Sequence, residues 1–470
     1  MANDRPDLRQ EKYIRMTTAP VRRLVLSLSV PTIASMLVSA FYNLADTYFV
    51  SSIGGYDGTC AIAAVSVSLS VMALIQALGF FVGQGGANFM SRALGRQDVS
   101  KASEMAATSL FLALGIGAVV TLLGELFTEP IARFLGADEE FVGPASDYLR
   151  WIFAAAPMMM GSFCINNQLR FQGNALYGMV GVVSGAVLNV GLDPIFIHVL
   201  GMGAEGAALA TAVSQTVGFC VLLSGTFRGD NLRIHPSRAR FSPENMKLIA
   251  QGGLPSLLRQ GCGSVAVMIL NRTAGQVGEA DPEIGRAALI AAFGLVSKIM
   301  MMANNVVIGL GQGYQPVCGF NYGAGRFSRV RSAFWFLVKA VACWCLLMMA
   351  LGELLAPRVV ALFRDAEPRV RELAAVILRF QCAAFFVNCW VVPSNMTQQT
   401  MGWTGSASAL AMARQGLFLV PLVLLLPRFF GLVGLELAQP ISDLLTFCLA
   451  IPLQARVLKH LSQPDRELNL

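Results

Sequence analysis

Twelve apolar stretches, each long enough to cross a lipid bilayer, limit this chain to one broad class of fold. A helix needs about 20 mostly apolar residues to cross roughly 30 Å of hydrocarbon. Only 13% of the residues are charged, about half the share typical of soluble proteins, which excludes a soluble enzyme. The stretches cover 24–50, 59–84, 104–127, 145–168, 175–198, 203–226, 248–273, 284–310, 333–355, 374–396, 404–427 and 431–455. We therefore predict an all-α polytopic membrane protein with twelve transmembrane helices.

Charge and cysteine content exclude several other classes. The net charge of +7 does not indicate a nucleic-acid partner, because the basic residues lie in short hydrophilic gaps between apolar stretches. The ten cysteines show no spacing typical of a disulfide framework or a zinc site. The sequence contains no paired metal-ligand histidines, nucleophile elbow or phosphate-binding loop, which disfavours a membrane enzyme. We expect no catalytic residue and no cofactor.

Most lysines and arginines lie in gaps on one side of the predicted bundle. These gaps are the N-terminal tail, the second-to-third gap, the central gap and the eighth-to-ninth gap, although four arginines between the ninth and tenth stretches break the pattern. Basic loops remain in the cytoplasm, so the majority predicts two cytoplasmic termini. The polar first 23 residues do not resemble a cleaved signal. We expect a multi-pass protein of the bacterial plasma membrane.

The chain repeats itself at a spacing of 228 or 229 residues. Gly-Gln-Gly occurs at 83–85 and 311–313, Gly-Glu-Leu occurs at 124–126 and 352–354, and four further matches keep the same order. These matches indicate an internal duplication. Six spans per copy give both copies the same orientation, related by a pseudo-two-fold axis along the membrane normal, as in two-lobed transporters. A channel would instead need a ring of pore helices from several subunits.

The duplication divides the chain into two lobes joined by a linker, and we expect it to act as a monomer. The predicted segments are a cytoplasmic tail at 1–23, a first lobe at 24–227, a cytoplasmic linker at 228–247, a second lobe at 248–456 and a cytoplasmic tail at 457–470.

Three segments resemble the multidrug and toxin extrusion (MATE) family. They are Pro31 with the stretch FYNLADTYFV at 41–50, the element QLRFQGN at 168–174, and GLGQGYQPVCGFNYGAG at 309–325. The resemblance implies a secondary antiporter of two six-helix lobes that exchanges sodium ions or protons for amphipathic organic compounds. Lipid-linked sugar flippases share this architecture and remain an alternative. A second alternative is the major facilitator class. The segment SRALGRQD at 91–98 of this chain partly resembles the second-to-third gap of that class.

Two acids in the first lobe lie deep enough to need a functional or structural reason, because an unpaired carboxylate in hydrocarbon costs several kcal/mol. Asp46 lies about 9 Å from the outer end of the first span, and Asp193 is at a similar depth in the fifth. Asn189 is one turn from Asp193 on the same helix face, and Thr211 lies at a similar depth in the sixth span. The alternative is structural: Asp193 would cap a helix broken by Pro194, and Asp46 would bond a nearby tyrosine.

These four oxygen-bearing side chains predict a cation-coupling site. Carboxylate, amide and hydroxyl oxygens suit Na⁺, and two crowded carboxylates in a low-dielectric pocket equally suit a proton, so the coupling ion stays open. The resemblance implies the same site at Asp46, Asn189, Asp193 and Thr211, with Tyr148, Asn166 and Asn167 as further polar positions. The stretch SLLRQGCGS after Pro255 lacks the seventh-helix glutamate of a sodium-coupled subfamily. A second-lobe cation site is therefore not expected.

The second lobe carries an excess of cations near its midplane. Three basic residues lie ten to fourteen residues into their spans, beside one comparably deep acid, and amides accompany them. Either the acid pairs with one of the cations as scaffolding, or the excess faces the cleft and favours anionic or zwitterionic substrates. The predicted second-lobe network comprises Arg259, Gln260, Asn271, Lys298, Arg414 and Asp443.

Pro31 is the predicted hinge of the first helix. Proline removes one helix hydrogen bond and clashes with the preceding turn. We expect a cation bound at Asp46 and Asp193 to bend or shift this helix and so to release an amphipathic small-molecule substrate outward.

Overall fold

The computed structural model describes residues 6–53, 55–139, 141–280, 285–361 and 367–466, and throughout these ranges the regular secondary structure is helical. Short π-helical segments follow α7 (Ile195–Val199) and α14 (Ala413–Leu417). The α-helices are α1 (Pro6–Thr18), α2 (Val21–Ser51), α3 (Gly55–Gly95), α4 (Val99–Leu126), α5 (Thr128–Phe134), α6 (Val142–Phe171), α7 (Ala175–Pro194), α8 (Gly203–Thr226), α9 (Pro243–Ala280), α10 (Arg286–Gly323), α11 (Phe327–Ala361), α12 (Pro368–Phe385), α13 (Asn388–Met401), α14 (Thr404–Met412) and α15 (Leu419–His460).

Twelve crossings follow from these helices once two irregular regions are taken into account. Helices α12 and α13 are bent by 57° across a short break and together make one span. The continuous region Thr404–His460 has 57 residues, which at 1.5 Å per residue is far too long for one crossing. Gly431 has a positive φ of 54°, and Gly434 lies directly against the Leu426 carbonyl, so the chain reverses here. The described residues thus contain twelve spans, six in each half.

The helices extend beyond the predicted apolar stretches. Hydropathy marks the part of a helix that meets hydrocarbon, whereas the hydrogen-bonded helix continues into the aqueous layer. Helix α9 begins at Pro243, inside the predicted linker 228–247, and the Ser242 hydroxyl accepts from the Asn245 backbone amide there (3.2 Å). Helix α15 continues to His460, into the predicted C-terminal tail. The predicted N-terminal tail contains α1.

Each half has its own hydrophobic core. The first-lobe core includes Ile75, Tyr148 and Ile152 from α3 and α6. The second-lobe core is built mainly from α10, α11 and α12, with Phe293 and Phe334 among its buried members.

Helix α2 contributes to both cores, which the sequence did not indicate. Leu24, Val25 and Leu28 are buried in the second-lobe core, whereas Val50 at the other end of the helix belongs to the first-lobe core. Pro31 lies within the part that packs on the second lobe, since Ile33 packs on the same core and lies against Gly309 of α10. The change of α2 from the second lobe to the first therefore comes after the predicted hinge.

Both ends of the described chain lie on one face of the bundle, which we call the terminal face. The Met16 carbonyl of α1 accepts from the Asn321 amide at the end of α10 (3.1 Å). Near the C-terminus, Asp465 accepts from the Ser328 backbone amide (2.8 Å) at the start of α11. The other side of the bundle is called the opposite face.

Candidate functional site

Three of the predicted cation-site residues meet in the interior of the first lobe. Asn189 and Asp193 lie one turn apart on α7, and Thr211 lies on the neighbouring α8. The Asn189 amide nitrogen is 3.3 Å from the Asp193 carboxylate and 3.3 Å from the Thr211 hydroxyl. Asp193 is 0%, Asn189 2% and Thr211 3% exposed. The amide thus holds a carboxylate and a hydroxyl together inside the lobe.

Asp46 of α2 joins this pocket. Its carboxylate lies close enough to Asp193 for direct electrostatic repulsion. One oxygen each of Asp46, Asn189 and Asp193 is buried without a hydrogen-bond partner. Buried polar oxygens are normally satisfied, so these three have unused capacity to accept a hydrogen bond or to bind a cation. All four predicted residues are therefore together in the structure.

Two observations bear on the structural alternative for these acids. The chain continues from α7 through Pro194 into the π segment Ile195–Val199, so Asp193 does not cap a broken helix. Tyr42 lies near both Gln215 and Asp46. The side chains of Asn43, Leu44 and Thr47, which belong to the motif at 41–50, lie outside the described residues.

Two tyrosines form the wall around the carboxylates. Tyr148 of α6 is buried, bonds to Ser68 of α3, and lies within electrostatic range of both Asp46 and Asp193. Tyr42 is within range of the same two acids. Sequence reasoning placed Tyr148 here only by resemblance, and it missed Ser68 and Gln215. The position of Gln215, one turn from Thr211 on the same face of α8, was a usable signal.

Asn166 and Asn167, given by the resemblance as further polar positions, lie away from the carboxylates. Asn167 donates to the Phe163 carbonyl (2.7 Å) and accepts from Arg170 at the terminal end of α6. Asn166 lies against Gly178 of α7. Both are three or more turns along α6 from Tyr148, too far to reach the carboxylates.

The six predicted second-lobe residues do not form one network. Arg414 donates to Asp443 (2.8 Å), and Gln439 donates to the same oxygen (2.9 Å). Arg259 instead donates to the Asn395 carbonyl oxygen (3.4 Å) on α13. Asn271 and Lys298 are exposed and Gln260 is half-buried. The acid thus pairs with one of the three cations, which was one of the two interpretations left open. Depth alone did not separate these residues, because the direction of each side chain around its helix decides which of them meet.

A polar layer on the terminal side joins the two lobes, and sequence reasoning missed it. Arg170 of the first lobe donates to Gln312 of the second. Across the pseudo-two-fold axis, Gln399 of the second lobe donates to Gln84 of the first (3.1 Å), and Ser256 also donates to Gln84 (2.6 Å). Gln84 and Gln312 are the central residues of the repeated Gly-Gln-Gly. The repeat itself was therefore the available signal.

Glycines bring the backbones of the two lobes into direct contact beside this layer. A methyl group at Gly253 would overlap with the Phe81 carbonyl, and one at Gly85 would overlap with the Ile249 carbonyl. Gly313 packs in the same way on Ser29. Among the described residues, the hydrogen bonds between lobes all lie in this terminal half. The two lobes are thus closed against each other on the terminal side.

Comparison with known families now identifies the fold. A family model described as MatE matches residues 31–195 and again residues 262–425, which together make up more than half of the chain. The chain belongs to the MatE family. The resemblance seen in the sequence is thereby confirmed, and the two matched blocks of this MatE protein fall one on each lobe.

Known relatives cover nearly the whole MatE chain. The multidrug export protein MepA of Staphylococcus haemolyticus is 25% identical over 446 residues, 94% of this chain and 95% of that one. A solved structure described as the outward-facing conformation of a multidrug resistance MATE family transporter is 26% identical, with a TM-score of 0.87 over 96% of this chain and 99% of that one. A transporter of Pyrococcus furiosus, described as having a binding pocket of reversed polarity, matches with the same identity, score and coverage. These structures confirm the two-lobed helical fold.

Proposed function

We propose that this MatE protein exports amphipathic organic compounds across the bacterial plasma membrane in exchange for protons or sodium ions. The observation that supports this most directly is the first-lobe pocket, where two carboxylates lie together without any cationic side chain among the described residues as partner. Such a pocket is stable only when a cation or proton neutralises part of its charge. MepA, a relative over nearly the full length, is a multidrug export protein, which supports the class of substrate.

The closed terminal side supports an alternating-access cycle, in which it would be one stage. The basic gaps favour a cytoplasmic terminal face, so contact between the lobes on that face corresponds to a cleft directed outward. An external cation then reaches Asp46 and Asp193 near the opposite face. A cation that binds one conformation more tightly than the other shifts the population between them.

Helix α2 connects the pocket to the contact between lobes. Asp46 lies in the half of α2 that belongs to the first lobe, and Ser29 in the other half donates to the Leu310 carbonyl of α10 (3.1 Å). Pro31 lacks the amide that would complete the helix between these halves. Neutralising Asp46 therefore changes the forces on one half of α2, and Pro31 permits that half to move relative to the other.

The test is efflux from proteoliposomes under an imposed pH or sodium gradient. Replacing Asp46 or Asp193 with Asn keeps the shape of the side chain but removes its charge, so we expect gradient-driven export to be lost. Substrate binding to the purified protein should persist. Which gradient drives the wild-type protein identifies the coupling ion.

Glu125→Gln provides the matched control, because Glu125 is an exposed first-lobe acid near the end of α4. This variant should export at the wild-type rate. Full export by Asp46→Asn under the same gradient would contradict the assignment of the pocket.

A further inference from the structure

We propose that Arg259 binds a carboxylate or similar oxyanion of the substrate, so that the exported compounds include anionic and zwitterionic amphipathic molecules. The proposal deepens the export function proposed above and depends on it for its physiological meaning. Its structural basis is the position of Arg259, its missing counter-ion and the polar layer beside it.

Arg259 lies on the face of α9 that is directed toward the first lobe. Ser256, one turn earlier on α9, donates to Gln84 of the first lobe (2.6 Å) and accepts from Gln399 of its own (2.8 Å). Gly252, a further turn back, lies against the Gly85 backbone of the first lobe. On a helix of 3.6 residues per turn, Arg259 is displaced by only about 20° around the axis from Gly252. It therefore follows the face of α9 that meets the first lobe, just beyond the point where the contact ends.

The guanidinium of Arg259 has no carboxylate partner among the described residues. Its hydrogen bond to the Asn395 carbonyl oxygen is long, at 3.4 Å. The amide of Asn395 is fixed in that orientation because its nitrogen donates to the Ala407 carbonyl (2.7 Å). In the same lobe, Arg414 has the Asp443 carboxylate at 2.8 Å. Arg259 is thus a half-buried cation held by a single neutral acceptor.

A guanidinium in this setting favours an added anion. Its charge is costly in a low-dielectric environment unless it is paired. Its remaining N–H donors match the two oxygens of a carboxylate, and charge-assisted bonds of this kind are about twice as strong as neutral ones. A substrate carboxylate would supply the acceptor that the protein itself does not provide.

The neighbouring layer adds polar atoms without adding negative charge. The amide nitrogen of Gln84 is buried without a hydrogen-bond partner, although its oxygen accepts from Ser256 and Gln399. Gln260, the next residue of α9, is half-buried. The first lobe carries the buried acids Asp46 and Asp193, so the two lobes present opposite charges, and a molecule with both signs would be complementary to the pair.

The experiment compares two dyes that differ in one charged group. Rhodamine B carries a free carboxylate, and its ethyl ester has the same aromatic cation without it. Binding of each dye to the purified protein in detergent is measured by fluorescence polarisation, at fixed salt and with no ion gradient. We expect wild-type protein to bind the acid more tightly than the ester. Equal or tighter binding of the ester would overturn the proposal.

Arg259→Gln should weaken binding of rhodamine B by about tenfold or more and change binding of the ester less than twofold, because one charge-assisted interaction is removed. Arg259→Lys keeps the charge but not the planar pair of donors, so it should give an intermediate loss for the acid alone. Arg272→Gln, an exposed arginine on the same helix, should leave both affinities unchanged.

Equal losses for acid and ester in both Arg259 variants would show a structural role and overturn the proposal, as would unchanged binding of the acid. Because no gradient is present, these results do not depend on coupling at Asp46. Loss of export in Asp46→Asn with normal discrimination between the dyes would separate the two proposals.

Discussion

At the scale of single residues, the buried carboxylates of the two lobes have opposite electrostatic surroundings. Asp193 lies beside the neutral Asn189 and repels Asp46. Asp443 lies beside Arg414 and Gln439, which both donate to it. The first-lobe carboxylates therefore have no cationic side-chain partner among the described residues, whereas the second-lobe carboxylate has one.

The Arg414–Asp443 pair gives a stability prediction. Removing one partner of a buried ion pair leaves the other charge uncompensated, which costs about 3–5 kcal/mol. We expect Asp443→Leu to lower the thermal unfolding temperature in detergent strongly. Combining it with Arg414→Met replaces both charges with apolar groups, so the double variant should be more stable than Asp443→Leu alone. Losses that simply add would contradict a direct pair.

The sequence predicted which polar residues lie together only where their depth in the membrane was enough to place them. Asp46, Asn189, Asp193 and Thr211 could be placed together from their distance to span ends, because few polar groups occur at that depth. The partners of Arg259 and Arg414 could not, because they depend on how each helix is rotated about its axis. Lys298 is exposed for the same reason.

At the scale of elements, α1 connects the two lobes across the terminal face. Lys12 forms an ion pair with Asp230 of the linker (3.2 Å), and Met16 packs on Gly173 at the end of α6. On the second-lobe side, the Met16 carbonyl accepts from Asn321, and Arg329 donates to the Ala19 carbonyl (2.5 Å). The lobes cannot separate on this face unless α1 releases one of them.

The Lys12–Asp230 pair gives a prediction about α1. We expect Lys12→Ala to accelerate hydrogen exchange of the α1 amides by up to about fivefold, the effect of losing up to about 1 kcal/mol. Arg15→Ala, which changes an exposed arginine on the same helix, is the control and should have no effect. Unchanged exchange in Lys12→Ala would show that the pair does not hold α1.

The same pair predicts a pH dependence. Burial alone would raise the pKa of Asp230, but the Lys12 ammonium and the Asn174 amide hold that pKa below its ordinary value. A depressed pKa in the folded protein means that the stabilisation is present at neutral pH and is lost as the pH falls through and below about 4. After correction for intrinsic rates, exchange in wild-type protein and Lys12→Ala should therefore converge in that range.

Hydropathy predicted where the helices lie, but it did not predict their bends or irregular segments. All twelve apolar stretches fall on helices. The bend between α12 and α13 and the π segment before Phe418 have no hydropathic signature. The sequence did separate the last two apolar stretches, and the chain turns between them at Gly431. Glycine tolerates the positive φ required there.

At the scale of the whole molecule, we expect the glycine contacts between lobes to control which side is closed. Gly253→Ala would place a methyl group against the Phe81 carbonyl, a backbone atom that cannot rotate away. Overpacking of this kind costs about 1–3 kcal/mol, so we expect at least a fivefold shift away from the terminal-closed state. Gly261→Ala is the matched control, because it lies on the same helix in open space.

Spin labels at Ser100 and Arg331, exposed positions on the terminal face of each lobe, would report the shift in a variant without native cysteines. Longer distances in Gly253→Ala and unchanged distances in Gly261→Ala are expected. The same distance distribution in both variants would rule out the glycine contact as a control point.

The duplication was predictable because residues of the two halves match in the same order, and the family model also matches the chain twice. The contact between lobes was not predictable. It joins Arg170 to Gln312 and Gln84 to Gln399, pairs that are distant in sequence. Periodicity along the chain does not identify which distant residues meet.

The division of α2 between two cores has a consequence for biogenesis. Leu24, Val25 and Leu28 enter the membrane with the first span, yet the core that buries them contains α10 and α11. The acceptor of Ser29, Leu310, is synthesised 281 residues later. Helix α2 is therefore among the last helices to reach its final neighbours. If synthesis stopped after the first six spans, the surface formed by Leu24, Val25 and Leu28 would face lipid.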